Sequence, residues 1–79
     1  MKKTDLPDLV IEALRHLGGQ DEIVPIARYI WERYEAQLKA SGDLYYTWQY
    51  DIRWAAQKLQ DSGTLLKTRR GARSIWKLT

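Results

Sequence analysis

The sequence predicts an α+β fold, mainly helical with one small β-hairpin, and three observations carry the prediction. Apolar residues recur at steps of three and four in three separate stretches, the period that lines up one side of a helix. After Gly63 the pattern changes to two short β-prone runs, Leu65 to Thr68 and Ser74 to Leu78, around a glycine-bearing turn. The order helix, short extended link, helix, linker, helix, hairpin is complete within 79 residues. That is the order of a winged helix-turn-helix, in which three helices pack their stripes together and a C-terminal wing closes the open side of the core.

The first helix runs through Leu6, Leu9, Val10, Ala13, Leu14 and Leu17. Asp5 is placed to cap its first turn, and Pro7 is tolerated there because the earliest amides have no intrahelical partner. Gly18-Gly19 supplies a left-handed stop. Asp21 to Val24 reads as an extended link, or as one small strand able to pair with a hairpin. Pro25 then opens the second helix, whose stripe is Ile26, Ala27, Ile30, Trp31, Tyr34 and Leu38, with Arg28, Glu32 and Glu35 on the solvated side.

Lys39 to Asp43 is a linker of turn-forming residues. The third helix begins at Asp43 or Thr47, both of N-cap type, and stops near Asp61-Ser62-Gly63. Arg69 to Arg73, RRGAR, forms the hairpin turn, where Gly71 gives the positive-φ freedom that a tight or bulged turn needs. Alternation puts Trp76 with Leu78 on one face and Ile75 on the other, and leaves open which face is inward.

Residues 1–79 form one domain. A domain near this size buries only about 60% of its unfolded-chain surface. With no cysteine and no Cys/His cluster, the fold rests on packing alone. The aromatic bulk is four Trp and five Tyr with no Phe, rings whose polar tips suit the boundary between core and water. No apolar run approaches the roughly 18 residues needed to span a bilayer, and Lys2 and Lys3 lead into an acidic, Pro-containing stretch, so the expected location is the cytoplasm, with no membrane partner.

Net charge is +3, but it is unevenly spread. Residues 1–52 hold six Lys/Arg against nine Asp/Glu, a balance of −3, whereas residues 53–79 hold seven against one, a balance of +6. One end of the molecule is a cationic surface.

A helical projection of the third helix puts Leu44, Trp48, Ile52, Ala55, Ala56 and Leu59 on one face and Tyr46, Gln49, Tyr50, Arg53 and Gln57 on the other. Ordinary solvated faces are built from Lys and Glu. Here Arg can pair bidentately with guanine O6 and N7, Gln with adenine N6 and N7, and Tyr hydroxyls with phosphate oxygens. The candidate DNA contacts on this helix are Tyr46, Thr47, Gln49, Tyr50, Arg53 and Gln57. For the tyrosines the competing readings are cover for the core or a docked protein.

Lys67, Arg69, Arg70 and Arg73, with Lys77 beside them, add a cationic cluster at the hairpin. Such a tip reaches phosphates or the minor groove, and its competing reading is a solubilising turn that blocks edge pairing. Trp54, on the flank of the third helix, is expected beneath the hairpin in a structural role.

The run IRWAAQKLQDSGTL from Ile52, followed by RRGARSIWKLT, resembles the N-terminal winged-helix domain of Mrr-type restriction proteins. The shared features, in order, are Trp54-Ala55, Leu59, the Gly63 to Leu66 segment and the terminal Trp76-Lys77-Leu78-Thr79. The resemblance is densest over residues 48–79 and implies a targeting module that works with an effector or nuclease protein. It departs at Asp51 and Arg53, where the family often has Arg-x-Gly before the Trp, and in a short loop before the third helix. Gln37-x-Lys39 echoes the last part of a nuclease site but lies at a helix end with no acid-bearing strand before it.

Enzyme readings find no pattern. Ser41, Ser62 and Ser74 lie in turns or a strand, His16 sits near a helix C-terminus where a cation suits the dipole, and Asp21-Glu22 alone is a poor metal site. The expectation is a non-enzymatic module for double-stranded DNA, without cofactor or metal, a monomer or weak dimer, serving as a small regulator or as the targeting part of a restriction or defence system. The alternative is a winged-helix adaptor for protein partners.

Overall fold

The computed structural model describes residues 1–79. A 3-10 turn at Lys3–Asp5 leads into α1 (Leu6–His16), followed by β1 (Gln20–Glu22), α2 (Ile23–Lys39), α3 (Leu44–Asp61), β2 (Leu65–Arg70) and β3 (Arg73–Leu78). The strands form one antiparallel sheet in the order β1-β3-β2. The fold is therefore α+β, with three helices and a three-stranded sheet; of the two readings of the segment after Gly19, the small strand that pairs with the hairpin is the one observed, at Gln20–Glu22.

The helical stripes are what the core buries. Leu6, Leu9, Val10, Ala13 and Leu14 of α1 meet Ile26, Ile30 and Leu38 of α2 and the full expected stripe of α3, and Leu65 and Trp76 close the core from the sheet. All 16 buried residues are apolar, so polar chemistry is confined to the surface. No helix is long and apolar enough to cross a membrane.

Glycine ends α1 and α3 in the same way. Gly18 (φ 88°) and Gly63 (φ 80°) adopt the left-handed conformation. The Gly19 amide donates to the Leu14 carbonyl (2.7 Å) and that of Gly18 to Arg15 (3.4 Å), while Thr64 and Gly63 donate to Leu59 (2.8 Å) and Gln60 (3.1 Å). These are the paired bonds of a Schellman motif, which satisfy carbonyls that the helix leaves without partners.

The helix starts differ from expectation. Asp5 does not cap α1: its backbone is already helical, and its Oδ2 accepts from the Lys2 amide (2.8 Å) to close the 3-10 turn. α2 begins at Ile23 after an extended Glu22, and Pro25 falls in its first turn, where the missing N–H costs nothing. Asp43 occupies the N-cap position of α3, the first of the two expected starts, but neither Asp43 nor Thr47 supplies a side-chain cap bond. The Asp43 backbone is helical, and Thr47 Oγ1 donates to Asp51 Oδ2 (2.7 Å) one turn on. Backbone bonds from Tyr45 to Gly42 (3.1 Å) and from Tyr46 to Asp43 (2.9 Å) wind the first turn instead.

The hairpin turn is shorter than RRGAR. Pairing runs to Arg70 opposite Arg73, which leaves only Gly71 and Ala72 as the loop. Gly71 has φ 62° and no non-glycine residue has positive φ, the pattern of a type II′ turn with glycine first. β1 joins the other edge of β3, with Asp21 opposite Trp76 and Glu22 opposite Ile75. Trp76 is the inward residue; Ile75 lies half-buried on the outer face.

Two rim contacts tie the helices together. Trp54 is half-buried, with the N-terminal turn against its ring: Lys3 Nζ lies 4.5 Å from the centre of the ring and 4.0 Å from Asp51 Oδ1. Between α1 and α2, the Tyr34 and Tyr29 hydroxyls donate to the two oxygens of Glu12 (2.6 and 2.8 Å), with Arg33 Nε 3.3 Å away. The bond from Tyr34 is the main cause holding the Glu12 carboxyl below its ordinary range, aided by Tyr29 and Arg33, and the same carboxylate pushes both phenols up.

Candidate nucleic-acid interface

A helix that buries one stripe must show its other side, and α3 shows the polar set expected. Tyr46, Thr47, Gln49, Tyr50, Arg53 and Gln57 are all exposed. Tyr46 and Tyr50 are 82% and 76% exposed, so neither covers the core and that reading of them is excluded. Bonds one helical turn apart hold several of these groups in place. Arg53 Nη1 donates to the Gln49 carbonyl (3.1 Å), Gln57 Nε2 donates to Asp61 Oδ1 (2.9 Å), and Thr47 is bound to Asp51. Arg53 keeps further donors for a ligand, since a guanidinium carries five N–H groups.

The sheet brings part of the cationic hairpin to this face. Arg53, Lys67, Ser74 and Trp76, together with Ile23, line one recess of about 270 Å³ between α3, the start of α2 and the strands. Lys67 is opposite Trp76 in the ladder and Arg69 is opposite Ser74, so both lie on the face that carries Trp76. Arg70 and Arg73 pair with each other on the other face, and Arg73 Nε is 3.8 Å from Glu22 Oε1. The four hairpin cations are thus not the single cluster expected. Alternation divides them: Lys67 and Arg69 on the side of Arg53, Arg70 and Arg73 away from it, with Arg73 partly neutralised.

A second feature adjoins the α3 face, and periodicity alone did not reveal it. An open groove of about 630 Å³ runs between the first halves of α2 and α3, with apolar walls from Val24, Ala27, Trp31, Tyr45, Tyr46 and Trp48. Arg28, assigned by periodicity to the solvated side of α2, stands on one wall and Gln49 on the other. Trp31 lies nearly parallel to both Tyr45 (centroids 6.4 Å apart, planes at 22°) and Trp48 (5.9 Å, 8°). The sequence signal for it was present as aromatic residues at 31, 45, 46 and 48 on consecutive helices. Their convergence depends on how the two helices cross.

The acids near the sheet are engaged locally. Asp21 Oδ1 accepts from the Glu22 amide (2.7 Å) and Glu22 faces Arg73; no group of three or more His, Cys, Asp or Glu converges to hold a metal. No protein-family model, no curated protein and no solved structure matches this chain.

Proposed function

We propose that the chain is a DNA-binding winged-helix module, with α3 entering the major groove and the β2–β3 hairpin serving as the wing on the adjacent backbone. The observation that carries this reading is the shared recess of Arg53 and Lys67. It puts Arg53, from a helix face whose side chains suit base edges, beside Lys67, from a strand face whose cations suit phosphates. Arg53 and Gln49 read bases, with Gln57 further along the helix; Tyr46 and Tyr50 bond phosphates, and Thr47 does so by exchanging its Asp51 bond for a phosphate oxygen; Lys67 and Arg69 hold the flanking backbone. Arg70 and Arg73 sit at the margin of the footprint. The resemblance to the N-terminal domain of Mrr-type restriction proteins supports the same partner, and with it a role as a small regulator or as a targeting module for an effector or nuclease protein.

If Lys67, Arg69 and two further cations neutralise about four phosphates, affinity falls with salt at a log–log slope of about −3.6. A second reading, a protein-interaction adaptor, is favoured by one observation, the high exposure of Tyr46 and Tyr50, because Tyr is enriched in interface hot spots. Titration of a labelled random duplex at two salt concentrations separates them. Duplex binding with a steep salt slope supports the DNA module. Lack of duplex binding at low salt, together with a stable heteromer or dimer, supports the adaptor.

A further inference from the structure

We infer that the groove between α2 and α3 takes one unstacked nucleobase, displaced from the duplex that the α3 face holds; this rests on the DNA-binding reading. The walls supply what a displaced base loses. Tyr45 and Trp31 present near-parallel rings, and Tyr46, tilted 56° at 5.0 Å from Tyr45, stands largely in water. Stacking on such rings tolerates any base, because every base has a π-face.

The polar groups select for a nucleotide over other flat apolar ligands. Arg28 is the one charged residue in the lining, no carboxylate faces it across the groove, and it makes no ion pair within the chain. Lys39 Nζ, paired with Glu35, already lies 5.8 Å from the centre of the Trp31 ring, and with the free Arg28 guanidinium beside it the groove suits a ring attached to a phosphate better than a further cation. Gln49 belongs to both the groove and the exposed α3 face, and its amide has a donor and an acceptor to offer a base edge. The groove is thus continuous with the proposed duplex surface and of a size usual for small-molecule sites.

The test compares two duplexes that differ by one base. Each carries a single extra nucleotide bulged at its centre, an ordinary nucleotide in one and an abasic nucleotide in the other, with the fully paired duplex as reference. The base-bearing bulge is expected to bind about tenfold more tightly than the abasic bulge, the scale of one stacked base. Tyr45→Leu, and Val24→Glu at a position 61% exposed and so tolerant of substitution, should bring that ratio to one with the helical fold retained by circular dichroism. Equal affinity for the two bulges, or a preference that survives both variants, overturns the inference while paired-duplex binding stands. Absence of binding to any of the three duplexes at low salt overturns the DNA reading itself. Self-association that Val24→Glu abolishes, without a base-dependent ratio, assigns the groove to a second copy of the chain and also overturns it.

Discussion

Lys67 stands opposite Trp76 across the β2–β3 ladder, its ammonium nitrogen 5.7 Å from the centre of the indole ring. The indole is buried in the core while the ammonium reaches the recess that Arg53 also lines. One cross-strand pair therefore joins the packing of the domain to the charge of its proposed interface, and the strand period decides which other cations share that side.

That division makes the hairpin cations unequal. Lys67→Ala with Arg69→Ala should weaken binding to all duplexes alike and make the salt slope shallower by about 1.8, or about 0.9 for each phosphate that is no longer neutralised. Arg70→Ala with Arg73→Ala removes the same charge from the other face and should change the slope by less than half as much. Anisotropy titrations over a salt series measure both, and equal slopes for the two pairs would refute the division.

Arg53 should behave differently from the hairpin cations. If it reads a base edge, Arg53→Ala costs about 1–3 kcal/mol on a selected site and little on random duplex. Selection of preferred sites with wild type and variant gives the comparison. A uniform loss on every sequence would make Arg53 a phosphate contact.

The Glu12 contact gives a pH dependence with a definite sign. Its carboxyl is held below the ordinary range, chiefly by the Tyr34 hydroxyl, so its contribution is present above the unfolded value of about 4.3 and is lost as pH falls through the lower folded value. Tyr29 and Tyr34 are pushed up, so their share is present below the ordinary tyrosine range and is lost as pH rises through their higher folded values. Glu12→Gln should cost about 1 kcal/mol near neutrality, a figure discounted because the side chain is 37% exposed. Thermal melts should show the gap between wild type and variant closing below about pH 4; a gap that stays constant from the acid range to neutrality would contradict the assignment.

Gly71 should be hard to replace for backbone reasons alone. A Cβ built there meets nothing within 4 Å, yet φ is 62°. Gly71→Val is expected to cost about 1–2 kcal/mol from backbone strain, at about 4–8 °C of Tm per kcal/mol in a domain of this size. D-alanine at the same position in a synthetic chain should cost none of this, and an equal loss for both residues would place the cause elsewhere.

The parts of this structure legible in the sequence are those set by local period and local chemistry. The α3 stripe from Leu44 to Leu59 is buried as a helical projection requires, and Gly18, Gly63 and Gly71 act where a left-handed residue ends a helix or turns a hairpin. What was not legible depends on distance in the chain or on one residue of register. Glu12 meets partners 17 and 22 positions away, and Trp54 is covered by Lys3 from the opposite end of the sequence. The facing of Arg69 and Arg70 follows from a two-residue loop, and a loop one residue longer would reverse the side shown by one of the strands. The exposed face of α3 could be read residue by residue; its junction with the strand cations and the aromatic groove required the packed helices.

Whether α3 and β2 form one DNA-binding surface is tested most directly by the footprint itself, mapped by amide and side-chain chemical shifts as a short duplex is added at low salt. Shifts are expected to concentrate at Gln49, Tyr50, Arg53 and Gln57 of α3 and at Lys67 and Arg69 of β2, with α1 and the Glu12–Tyr34 contact unmoved. Shifts centred on α1 or on the outer sheet face around Leu66 and Ile75, or no shifts at a stoichiometric excess of duplex, would contradict that surface.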